Sequence, residues 1–66
     1  MGMNTRLWAK RELERAVKQI DWVGTHTNQV YERYKEVHPE IAEPLQLVLE
    51  MCVSLQTILT MVDRQI

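Results

Sequence analysis

Apolar residues alternate three and four positions apart from Ile41 to Ile66. The set is Ile41, Leu45, Val48, Cys52, Leu55, Leu59, Val62 and Ile66. This spacing is a heptad repeat and predicts a helix over about 41–65. Further apolar residues fall outside the repeat, so the helix is apolar over most of its circumference. Such a helix normally packs on more than one side.

The first half of the chain has the same spacing. Its set is Ala9, Leu13, Ala16, Ile20, Val23, Thr27, Val30, Tyr34 and Val37. A helix over about 5–37 is predicted, with Asn4 or Thr5 as its N-cap. Gly24 and the Thr and Asn residues after it are poor helix formers. A break at 24–27 would give an alternative three-helix bundle, but the repeat continues through this stretch in phase and favours one helix.

His38-Pro39 marks the boundary between the two helices, because the residue before a proline is pushed away from helical dihedral angles. Two heptad helices joined by a short link form an antiparallel hairpin. The predicted fold is therefore all-α, with helices over about 5–37 and 41–65 in a single domain of residues 1–66. In the predicted register Ile20 faces Leu59 and Leu13 faces Ile66, so residues before about 12 overhang the second helix.

A chain of 66 residues has a small core and usually needs a disulfide, a metal or a partner chain. Cys52 is the single cysteine, so no disulfide forms within the chain. We therefore expect a homodimer or higher homo-oligomer, in particular a coiled-coil-like four-helix bundle of two hairpins, either parallel or antiparallel. The residues predicted for self-association are the apolar ones outside the repeat: Leu47, Leu49, Met51, Ile58 and Met61.

The net charge of −1 points to no particular partner, but basic residues are concentrated in the first third of the chain. Two tryptophans two heptads apart lie on one face there, and tryptophan is a frequent interface anchor. The predicted partner-binding residues are Trp8, Trp22, Arg11, Arg15 and Lys18. The alternative is that both tryptophans close the homo-oligomer. A basic helix could also contact nucleic acid, although Glu12 and Glu14 interrupt it.

Catalytic and metal chemistry have little support in the sequence. His26, His38 and Cys52 are the soft ligands of the chain, and no two of them have the spacing that prepares a metal site. We expect no enzyme activity and no cofactor. A membrane span over 45–62 is not expected either, because polar residues and Glu50 interrupt it. No secretory signal is recognised, so a cytoplasmic location is expected, and Met1-Gly2 is interpreted as an addition before a native start at Met3.

Together these patterns predict a non-enzymatic protein–protein interaction module. It would act as a small homo-oligomeric adaptor, inhibitor, or assembly or regulatory factor. The alternative function is a small dimeric nucleic-acid-binding regulator that uses the basic first helix.

Overall fold

The computed structural model describes residues 4–66 as two antiparallel helices, α1 (Thr5–Tyr34) and α2 (Pro39–Gln65). The two helices pack against each other along their length, so the predicted all-helical hairpin is confirmed. The three-helix alternative is wrong, because α1 continues through Gly24 without a break. The expected addition Met1-Gly2 lies outside the described residues.

Helix α1 begins as predicted, since the Asn4 side chain accepts a hydrogen bond from the Leu7 amide at 3.2 Å. Gly24 adopts an ordinary helical conformation, and a Cβ atom built on it would meet nothing within 4 Å apart from its chain neighbours and the backbone of its own helix. The helix ends at Tyr34, earlier than the predicted residue 37. The chain turns there, and the His38 amide donates to the Tyr34 carbonyl oxygen at 2.8 Å.

Helix α2 begins at Pro39, two residues earlier than predicted. Proline is suited to this position, because the first amide of a helix has no acceptor within it. The His38 carbonyl oxygen instead accepts from the Ile41 amide at 2.9 Å. Pro44 therefore lies beyond the first turn and removes one amide from the helical hydrogen bonding. Glu40 near the start and Arg64 near the end complement the helix dipole.

The seam between the helices differs from the predicted one. On α2 the least exposed residues are spaced three and four apart, and they are Ala42, Leu45, Leu49, Cys52, Gln56, Leu59, Asp63 and Ile66. At every second seam position, the residue that faces α1 is the one after the predicted residue: Gln56 instead of Leu55, and Asp63 instead of Val62. The helix is thus rotated relative to the prediction. Gln56 and Asp63 face α1 because α1 offers them hydrogen-bonding partners.

The seam on α1 shifts in the same sense. Gly24 and Tyr31 are less exposed than Val23 and Val30, which the heptad pattern placed inside. The observed pairing of α1 residues with α2 residues is also shifted from the predicted pairing by roughly one helical turn. Gly24 shares a groove with Cys52, whereas the prediction paired it with Leu55. As a result, the overhang of α1 is shorter than predicted.

The hairpin has a very small buried core. Among the described residues only Ala42 and Cys52 are buried, at 5% and 9% exposure. The Cα atoms span 57 × 17 × 11 Å, which is the shape of two helices side by side. This is a small core for a chain of 66 residues.

Candidate protein interaction surface

A row of exposed apolar side chains runs beside the seam on α2, and two such side chains lie beside the seam on α1. On α2, Ile41, Val48, Leu55 and Val62 each immediately precede a seam residue and are 37–47% exposed. On α1, Val23 and Val30 also immediately precede seam residues and are 50% and 44% exposed.

The two rows lie on the same side of the hairpin. Both helices are right-handed and antiparallel, so residues that precede the seam on either helix project to one side. Residues that follow the seam must then project to the other side. The structure agrees, because Asp21 and Thr25 of α1 line a single groove with Val53 of α2, and each of the three follows a seam residue.

We call the first side the apolar face. It consists of the two rows together with two neighbouring α2 residues, Met51 and Ile58, which are 61% and 54% exposed. Its members are Val23, Val30, Ile41, Val48, Met51, Leu55, Ile58 and Val62. A contiguous apolar surface of this kind on a small protein usually marks an interaction site.

The opposite side is mainly polar, with Val53 as an exposed apolar residue, and the polar residues of the α2 seam are bonded to α1. The Gln56 amide donates to the Asp21 carboxylate at 2.6 Å and to the Val17 carbonyl oxygen at 3.1 Å. The Lys10 ammonium lies 2.7 Å from the Asp63 carbonyl oxygen and 3.3 Å from its carboxylate. These bonds orient α2 so that its polar seam positions face α1. The apolar rows are consequently turned outward.

Four of the five residues predicted for self-association are exposed, and one is not. Leu47, Met51, Ile58 and Met61 are 52–61% exposed on the outer surface of α2. Leu49 lies in the seam between the helices and lines the groove with Cys52, so it is removed from the surface that the others share. The physical reason is the rotation of α2 described above.

The sequence analysis missed Val48, Leu55 and Val62 as surface residues, because it assigned them to the seam within one chain. The sequence did contain a signal for the observed seam. This seam includes Gln56 and Asp63, and hydrogen-bonding partners for both side chains lie on α1. A polar side chain at a heptad position therefore needs to be compared with the polar groups of the facing helix.

The two tryptophans are exposed at 51% for Trp8 and 60% for Trp22. Both lie on α1, 14 residues apart, so helical spacing places them on nearly the same face of the helix. The Trp22 ring stacks on His26 with centroids 5.6 Å apart and an angle of 20° between the planes. Trp22 is thus held in one orientation while most of its surface stays accessible.

Several basic residues near the start of α1 are engaged within the chain. Lys10 pairs with Asp63, the Arg6 guanidinium donates to the Ile66 carbonyl oxygen, and Arg15 pairs with Glu12 at 2.8 Å. Arg11 and Lys18 are exposed on the outer side of the same helix. The basic group is therefore partly neutralised by intrachain contacts, and it does not form one uniform positive surface.

The remaining polar pairs are ordinary surface contacts. The Lys35 ammonium lies 2.7 Å from the Glu32 carboxylate. This hydrogen bond and the charge of Glu32 raise the pKa of Lys35 above its ordinary value. His38 approaches Glu40 at 3.2 Å in the turn between the helices.

The candidate ligand residues are separated in the structure. His26 stacks on Trp22, His38 lies in the turn, and Cys52 is buried in the seam. Within residues 4–66, no group of three or more His, Cys, Asp or Glu side chains is arranged to hold a metal ion.

Helix α2 is long and apolar enough to cross a membrane by length and composition, although the sequence analysis expected no span. The same property describes a helix that is covered by partner chains. Gln56 and Asp63 of this helix are bonded to α1, which contains too many charged residues to enter a bilayer with it.

Comparison with known proteins finds no matching family model, no matching curated protein and no matching solved structure.

Proposed function

We propose that this protein is a non-enzymatic protein–protein interaction module that self-associates through its apolar face. Two hairpins packed by this face form a four-helix bundle. The cellular role that fits such a module is that of a small adaptor, inhibitor, or assembly or regulatory factor in the cytoplasm.

The observation that supports the proposal most directly is the surface area of the single chain. The hairpin exposes 5502 Å². A compact monomer of 7.8 kDa exposes roughly 4,400 Å² by the general scaling of area with mass. The excess of about 1,100 Å² is comparable to the roughly 800 Å² that each partner buries in a standard interface. A second hairpin on the apolar face would cover an area of this size.

The division of the hairpin into two sides gives independent support. Polar side chains between the helices, such as those of Gln56 and Lys10, are already bonded within the chain. The apolar face has no such partners within residues 4–66, and its side chains are the ones that gain most from leaving water. The same segregation separates the core side and solvent side of helices in a bundle.

The alternative of a dimeric nucleic-acid-binding regulator has less support. It requires cations that reach phosphates, and at least three of the basic residues near the start of α1 are paired within the chain. Arg11 and Lys18 are the exposed cations that would remain for such a role.

Sedimentation equilibrium of the purified protein at micromolar concentration tests the proposal. We expect a mass of twice the 7.8 kDa of the chain. Far-ultraviolet circular dichroism on dilution should show helicity falling as the dimer dissociates, since the monomer core is small. A folded monomer of unchanged helicity across this range would contradict the proposal.

A further inference from the structure

We propose that the second copy packs like on like, with α2 against α2 and α1 against α1, each pair antiparallel. The twofold axis then crosses the apolar face near Met51. This arrangement rests on the proposed self-association through that face and specifies its geometry.

The apolar row of α2 is complementary to itself when it is reversed. Turning one copy end over end about a point between Met51 and Cys52 brings Ile41 opposite Val62 and Val48 opposite Leu55, and the two Met51 residues then lie about one residue apart along the helices. A twofold interface uses the same patch on both subunits, so it requires this kind of self-complementarity. The positions brought opposite each other are also similarly exposed, at 41% for both Ile41 and Val62.

The row of α1 residues that precede its seam has the same property. Reversal about Val23 brings Ala16 opposite Val30, a small side chain against a larger one, while Val23 meets its own copy. It also brings Glu12 and Arg33 to within one residue of the same level, so opposite charges meet twice in the dimer. Such complementary charges at the rim of an interface favour one register over others.

The two helix pairs require one axis at one height, and their midpoints agree. In the hairpin Gly24 lies beside Cys52, so Met51 is nearly level with Thr25. The midpoint on α1, at Val23, is about two residues from Thr25. At 1.5 Å per residue the midpoints differ by about 3 Å along the helices. Nothing in the packing of a single hairpin requires this agreement.

The alternative axis runs parallel to the helices and places α2 of one copy on α1 of the other. The α2 helices then lie diagonally across the bundle. With the axes of neighbouring helices 8–10 Å apart, the axes on the diagonal are about 11–14 Å apart. Because Cα atoms lie about 2.3 Å from each axis, Cα atoms that face each other are about 3–5 Å apart between neighbouring helices and about 7–9 Å apart across the diagonal. A disulfide requires Cα atoms roughly 4–7 Å apart, so a cysteine at position 51 distinguishes the arrangements.

The like-on-like arrangement also has a consequence for partner binding. It places the two α1 helices side by side, with Trp22 of each copy close to the twofold axis. Arg11 and Lys18 of both copies then flank this pair on one outer surface. The candidate partner site is therefore built from both copies and is incomplete in one hairpin.

The test uses Met51→Cys in a Cys52→Ala background, oxidised in solution and analysed on a non-reducing gel. Thr57→Cys in the same background is the matched control, because Thr57 is exposed on α2 away from the apolar face. We expect linked dimer from Met51→Cys at roughly tenfold or more above the control, since thiols held together in a dimer have a high effective concentration.

Sedimentation of the same samples separates the possible failures. A Met51→Cys protein that sediments as a dimer but links no more than Thr57→Cys overturns the like-on-like arrangement and leaves self-association intact. A Met51→Cys protein and a parent protein that both sediment as folded monomers overturn the proposed function itself.

Discussion

Replacing Met51 and Ile58 together by glutamate is the most direct perturbation of the apolar face. Both side chains are more than half exposed in the single hairpin, at 61% and 54%, so neither is required to hold α1 against α2. If the face is buried in a dimer, each copy loses two buried side chains and gains two charges. The double variant therefore separates folding of the hairpin from association.

The size of the effect follows from the area still available for burial. Full burial of a Met or Ile side chain stabilises by about 1.5–3 kcal/mol, and roughly half of that remains to be gained at these positions. Four side chains per dimer then contribute about 3–6 kcal/mol. Since about 1.4 kcal/mol corresponds to a tenfold change, the dissociation constant should rise at least about 100-fold. Desolvation of the carboxylates adds to this value.

The assay is sedimentation equilibrium with circular dichroism on the same samples. We expect the double variant to sediment as the 7.8 kDa chain at concentrations where the parent is a dimer. Gln46→Glu with Thr57→Glu is the matched control, because both residues are exposed polar positions of α2 and the charge change is the same. If the Met51 and Ile58 variant keeps the parent's mass and helicity, the assignment of the apolar face to self-association is refuted.

Three further predictions concern the seam, the continuous first helix and the alternative function. Gly24→Ala should raise the free energy of unfolding by about 0.5–1 kcal/mol, because the helical glycine has open space around it. Urea denaturation at fixed protein concentration measures this change, and a loss of stability would show that Gly24 is needed for close packing. Gln56→Ala should lower it by about 1–2 kcal/mol through loss of two interhelical hydrogen bonds, whereas Gln46→Ala, at an exposed position of the same helix, should change it by less than about 0.5 kcal/mol. A fluorescence anisotropy titration with labelled duplex DNA should show no binding tighter than about 10⁻⁴ M at physiological salt, and a nanomolar affinity that falls steeply with salt would favour the nucleic-acid alternative.

The fold could be predicted from the sequence because its signals are long and local. Heptad spacing persists on both sides of His38-Pro39, and a proline boundary between two such segments has few solutions other than a hairpin. Continuity through Gly24 was also predictable, since the repeat does not change phase there. The ends were less certain, because turn residues such as Lys35 and Val37 can extend or end a helix at nearly equal cost.

The rotation of α2 could not be predicted from hydrophobicity. Two heptad phases share Leu45, Cys52, Leu59 and Ile66 and differ only at the alternate positions. An apolar count selects Leu55 and Val62 for the seam, whereas the structure selects Gln56 and Asp63. Two specific polar contacts to α1 determine which face of α2 packs against it, and a count of apolar residues contains no information about these contacts.

The apolar heptad positions of α2 remain to be explained in the rotated hairpin. Val48, Leu55 and Val62 have regular heptad spacing, yet they are 37–47% exposed in the single chain. Solitary exposed apolar residues are ordinary on protein surfaces, but a heptad series sustained along a helix is typical of a helix–helix contact. If the contact is not with α1, it is with another chain. In the proposed bundle the two heptad series of α2 make different contacts. The series with Gln56 and Asp63 packs against α1 of the same chain, and the series with Leu55 and Val62 packs against the second hairpin.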